Sequence, residues 1–135
     1  MSFYEPDEQS VIPKSITDRY LVEQRLGRGG MAVVYCVFDT SAKTRLALKK
    51  MLVRDNDKEQ AGYAELFERE YNTLVHLAHP RIVEVYDYGL DESSPYYTME
   101  LLDSSDLHEL SPLSWQKACS VLCDICSALS LLHSR

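Results

Sequence analysis

Basic charge is what this 135-residue sequence most clearly lacks. Fourteen Lys and Arg stand against 21 Asp and Glu, a formal net charge of −7. A nucleic acid or an anionic bilayer would select the opposite sign on a docking face, so no nucleic-acid partner is expected. Long apolar runs are missing too, since none approaches the roughly eighteen residues of a membrane span. The start Met1-Ser2-Phe3-Tyr4-Glu5-Pro6-Asp7-Glu8 is acidic, where a secretory signal is basic and then apolar. No membrane contact from this segment and a cytoplasmic location are therefore expected.

Two kinds of ligand motif are also absent. No Gly-Lys pair occurs anywhere, which excludes a Walker A phosphate loop. His76 and His79 have no third ligand spaced with them. The four cysteines, Cys36, Cys119, Cys123 and Cys126, suit a reducing compartment as free thiols. Three of them read C-x3-C-x2-C, a spacing that radical iron–sulfur enzymes use. Here it falls within a long helical pattern, on a face shared with leucines, so a buried core role is expected and no metal site.

What is present is ordinary globular material for one domain: 45% apolar and 26% charged residues. Residues 1–18 are polar, carry Pro6 and Pro13, show no periodicity and read as a flexible leader. Five strands follow over 20–26, 33–38, 45–52, 82–89 and 96–102, with an amphipathic helix at 63–77 after the third. A polar hinge from Asp103 leads to a short helical piece at 107–110. Ser114 then caps a long helix that runs to residue 133. The class is α+β.

The densest signal is Leu26-Gly27-Arg28-Gly29-Gly30-Met31-Ala32-Val33-Val34-Tyr35, a G-x-G-x-x-A-x-V pattern between two strand-like runs. Glycines here can take positive φ and turn their N–H groups toward a polyphosphate, although a hairpin turn alone would also use them. A dinucleotide fingerprint would open a helix, whereas 33–38 is β-branched and aromatic, so that reading fails. In 45–52 the period of two sets Ala47 and Lys49 on one face, with Leu46, Leu48 and Lys50 on the other. A lone lysine is usually solvated, but beside a small residue it can instead reach phosphates under a pocket roof. On the helix, Phe67, Tyr71, Leu74 and Leu77 make an apolar stripe bordered by Glu70, a carboxylate that calls for a cation. Lys49 is the expected partner.

Taken in order, Gly27-Arg28-Gly29-Gly30-Met31-Ala32-Val33-Val34, Leu46-Ala47-Leu48-Lys49, Arg69-Glu70, His79-Pro80-Arg81-Ile82-Val83, Tyr86-Asp87-Tyr88-Gly89 and Thr98-Met99-Glu100-Leu101-Leu102-Asp103 resemble the motifs of protein kinases. The Gly-Gly-Met and Tyr-Asp-Tyr-Gly variants look like bacterial serine/threonine kinases of the Hanks type. The resemblance covers residues 19–135. It implies a kinase N-lobe over 19–102, a five-stranded antiparallel sheet plus one helix, with a hinge and the first C-lobe helices over 103–135. It implies ATP as the ligand: Gly27, Gly29 and Gly30 over the phosphates; Leu26, Val34 and Ala47 against adenine; Lys49 on the α- and β-phosphates; and Glu70 orienting Lys49. Met99 corresponds to the gatekeeper, and the backbone of Glu100 and Leu102 would bind the adenine edge. Ala32 replaces the family's third glycine, and Arg81 stands where asparagine is frequent.

The family's H-R-D and D-F-G motifs, with the Mg2+ ligands, are expected beyond Arg135, because His133-Ser134-Arg135 lacks the aspartate. A full kinase moves the ATP γ-phosphate to protein Ser or Thr hydroxyls, and this chain alone is expected to be inactive. The alternative is a non-catalytic nucleotide- or partner-binding module. Self-association through the C-terminal helix is expected, and the protein substrate stays unspecified.

Overall fold

The computed structural model describes residues 11–53, 57–103 and 111–134. Among them run β1 (Ser15–Ile16), β2 (Tyr20–Arg28), β3 (Ala32–Asp39), β4 (Thr44–Met51), α1 (Asp57–Val75), β5 (Val85–Asp91), β6 (Ser94–Met99) and α2 (Trp115–His133). The strands form one sheet in the order β1-β2-β3-β4-β6-β5, with every neighbouring pair antiparallel. β5 and β6 are joined by a two-residue turn in which Glu92 and Ser93 have φ of 49° and 68°, the left-handed geometry that matches strand twist.

Alternation along the strands divides the core in two. Leu46 and Leu48 join Ile16, Tyr20, Val33, Tyr35, Val37 and Tyr96 in the cluster on one face. Met51 joins Ala32, Phe67, Val85 and Tyr97 on the other, where α1 packs with Tyr63, Ala64, Tyr71 and Leu74. The sheet curls around the first cluster. β1 and β5 are its opposite edges, yet the Thr17 N–H donates to Asp91 Oδ1 at 3.1 Å, and Lys50 Nζ reaches Asp91 Oδ2 at 2.5 Å.

Several expectations need correction. The leader expected over 1–18 contains a sixth strand: Ser15 and Ile16 pair with Leu21 and Tyr20, and Ile16 is fully buried. Two residues are too few for periodicity to register. The first helix begins at Asp57 instead of 63, since its first turn is polar and carries no apolar stripe, and it stops at Val75 ahead of His79-Pro80. The fourth expected strand starts at Val85, three residues late. None of the glycines has positive φ, so the loop follows ordinary backbone geometry. Cys119, Cys123 and Cys126 are exposed, because α2 buries no residue within this chain. The first ten residues and the helix expected at 107–110 lie outside the described residues.

The turn after β3 is held by Asp39, which is 1% exposed. Its carboxylate takes two hydrogen bonds from the Arg19 guanidinium, at 2.9 and 2.8 Å, and two more from the Ser41 and Ala42 N–H groups. The Arg19 hydrogen bonds outweigh burial and bring the Asp39 pKa from 3.8 to about 2. A carboxylate depressed in the fold contributes stability that is complete above its unfolded value and vanishes as pH falls through the folded one. Thermal unfolding should therefore lose stability between about pH 4 and pH 2, and Asp39→Asn should flatten that limb while lowering the melting temperature at neutral pH. An acid limb of the same steepness in both proteins would refute the assignment.

Candidate functional site

Directly opposed residues of an antiparallel pair project to the same face, so the register lays out the site. One row across the sheet runs Gly27, Val34, Lys49, Tyr97, Tyr88. The adjacent row runs Gln24, Cys36, Ala47, Met99, Val85. This face meets α1. Val34, Ala47, Lys49 and Met99 thus share this face in two adjacent rows.

The loop is pinned at both ends. The Gly29 N–H donates to the Ala32 carbonyl at 2.8 Å, and the Leu52 N–H donates to the Met31 carbonyl at 2.9 Å. Leu26 is the extra residue of a β-bulge between the Arg25 and Gly27 pairs and is 46% exposed. A Cβ built on Gly27 or Gly30 would meet nothing within 4 Å, and one on Gly29 only the Ala32 carbonyl at 3.8 Å. The fold itself has no need of glycine at these three positions.

Lys49 and Glu70 are joined by a 2.6 Å ion pair between Nζ and Oε1. The Lys49 ammonium also stands 5.9 Å from the ring centroids of Phe67 and Tyr97, close enough for cation–π attraction to both. Tyr97 donates its hydroxyl to the same Glu70 oxygen. Burial pushes the Glu70 pKa up, but hydrogen bonds from Lys49 and Tyr97 and the lysine charge together hold it below its ordinary value. Burial, and then the bond to Glu70, raises Tyr97 well above an ordinary phenol. Tyr97 is not among the residues that the sequence singles out. Its only clue was a tyrosine two residues before Met99, and that becomes informative once the register aligns it with Lys49.

The remaining expected residues lie at or just past the end of β6. Met99 is half-buried against the α1 cluster. The Glu100 N–H donates to the Glu84 carbonyl at 2.8 Å, which anchors the segment leaving β6. Leu102 lies past the strand end and is 59% exposed. Among the described residues, no group of three or more His, Cys, Asp or Glu is arranged to hold a metal ion.

The protein kinase domain family matches residues 20–135. The chain is 35% identical over 127 residues to a probable serine/threonine-protein kinase PknB of Lactococcus lactis subsp. lactis (strain IL1403), covering 91% of this chain and 20% of that protein. It is 35% identical over 128 residues to serine/threonine-protein kinase tousled-like 2 of Homo sapiens, covering 88% and 16%. The solved structure "PpkA-294 apo form" superposes with a TM-score of 0.67 at 15% identity, over 80% of this chain and 44% of that one, a likeness of fold alone. This chain spans a fifth or less of the length of the curated relatives it matches. With a family match over nearly its whole length and serine/threonine kinases among its relatives, the chain belongs to the protein kinase domain family.

Proposed function

We propose that this chain is the nucleotide-holding part of a serine/threonine protein kinase, and that the complete protein transfers the γ-phosphate of ATP to protein Ser or Thr hydroxyls in the cytoplasm. The observation that carries this reading is the Lys49–Glu70 ion pair, on the sheet face that Lys49 shares with Val34 and, in the next row, Ala47. A lysine held by a carboxylate on a second element is aimed, and Lys49 can turn a fixed positive charge toward the α- and β-phosphates. The glycines fit the same ligand. Nothing in the fold fills the space a side chain would take at Gly27 or Gly30, which suits backbone N–H groups that a phosphate approaches closely. Bound ATP supplies the transferable phosphoryl group, and Mg2+ would be held by residues outside this sequence. Val34, Ala47 and Leu26 offer apolar surface to the adenine ring. Met99 limits the depth of the pocket, while the Glu100 carbonyl and Leu102 N–H bind the adenine edge. The sequence contains neither His-Arg-Asp nor Asp-Phe-Gly, so its own residues bind and orient but do not act on the γ-phosphate.

Losing a charge-assisted hydrogen bond costs about 1.5–3 kcal/mol, or about tenfold and more in affinity. Lys49→Met should therefore weaken binding of a fluorescent ATP analogue by about tenfold or more, with an unchanged near-UV dichroism spectrum, and should abolish phosphotransfer in the complete kinase. Equal affinity in both proteins would sink the reading.

The same chain should also pair with a second copy through α2. Trp115 is 74% exposed, Leu122 59% and Leu129 42%, and helical spacing puts them with Ile125 and Leu132 on one stripe. An apolar stripe of this kind favours association at micromolar concentration. Aspartate at both Leu122 and Leu129 should raise the monomer fraction in light scattering, and a stable monomer of the unmodified chain would count against pairing.

A further inference from the structure

Glu70 is the weak point of the proposed site. It lies on a helix outside the sheet and its side chain is 36% exposed, and a partly exposed ion pair with one flexible lysine orients little by itself. Tyr97 meets that deficiency. Its residue is 1% exposed, and its ring is packed at 5.2 Å from Phe67 and 5.7 Å from Tyr71, both of α1. The register sets Tyr97 directly opposite Lys49, so hydroxyl and ammonium arrive side by side at Glu70 Oε1. A phenol turns on only two side-chain torsions, and with the ring wedged against α1 the hydroxyl has one place to go. Packing alone would be satisfied by phenylalanine, which fills nearly the same volume.

We propose that Tyr97 is a positioning residue, fixing the Glu70 carboxylate from the floor of the sheet so that Lys49 is aimed before nucleotide arrives and α1 stays docked when Lys49 turns to a phosphate. The inference rests on the nucleotide-binding reading above. A donor that remains on Glu70 throughout separates two tasks, holding the helix and holding the phosphate, that the lysine would otherwise perform alone. The bond is charge-assisted, phenol to carboxylate, and the buried hydroxyl has Glu70 as its acceptor.

The test uses this chain with its glutamates 13C-labelled at the carboxyl carbon, and follows the Glu70 resonance through acid pH. Lys49 from β4 and Tyr97 from β6 are the charged and titratable groups that bear on Glu70. In Tyr97→Phe the Glu70 midpoint should rise toward the ordinary carboxylate value, and the fluorescent ATP analogue should bind about fivefold more weakly. An unchanged midpoint would overturn the proposal, whatever the affinity. If the midpoint rises but neither Tyr97→Phe nor Lys49→Met alters analogue binding, positioning of Glu70 stands and the nucleotide reading falls. Should Tyr97→Phe fail to fold, Glu70→Gln should move the 13C resonance of the Tyr97 ring carbon bearing the hydroxyl at neutral pH, and an unmoved resonance would overturn the proposal equally.

Discussion

The period of two along β4 is the constraint on which the rest depends. Eight residues of one strand contribute Leu46 and Leu48 to the cluster inside the curled sheet, and Ala47, Lys49 and Met51 to the face that meets α1. A slip of one residue against β3 would send Lys49 into the cluster inside the curled sheet and the leucines to the helix, so the two cores and the charge specify one register together. That register then transmits position sideways. Val34, Lys49 and Tyr97 are adjacent because backbone pairing in that register brings β3, β4 and β6 together in one row.

The charge at the centre of this face is tolerable because it is compensated in several ways. Lys49 has a carboxylate at 2.6 Å and the faces of two aromatic rings at 5.9 Å, and 22% of its side chain stays accessible. Partial exposure keeps the desolvation cost low, while the rings and the carboxylate limit where the ammonium can go. This suits a group that must exchange partners: it is neither buried beyond reach nor free to wander.

Much of this was legible in the sequence because it rests on periodicity or on fixed spacing. The alternation through Leu46-Ala47-Leu48-Lys49 and the stripe Phe67, Tyr71, Leu74 carry their geometry in their own order, and the glycine loop announces itself between two strands. Features that depend on partners were not legible. Ser15–Ile16 is a strand only because β2 is there to pair with it, and Tyr97 meets Glu70 only through the pairing of β6 with β4. The cysteines of α2 failed for the complementary reason: helical spacing correctly grouped them with leucines, but a shared face does not say whether anything within the chain covers it.

The bond from Thr17 to Asp91 gives the short first strand a meaning beyond its two residues. An antiparallel sheet ends in two rows of unpaired backbone groups, each a template for any extended chain that passes. Here the segment ahead of β2 occupies one of those margins and is fastened across to the end of β5, while the other oxygen of Asp91 holds Lys50. The two margins of the sheet are thereby tied together by two carboxylates of β5, Asp91 to Thr17 and Asp87 to Arg19 and Tyr20. The few residues ahead of Tyr20 serve as a selvedge over the first three residues of β2, Tyr20, Leu21 and Val22, shortening the border along which a neighbouring chain could add itself.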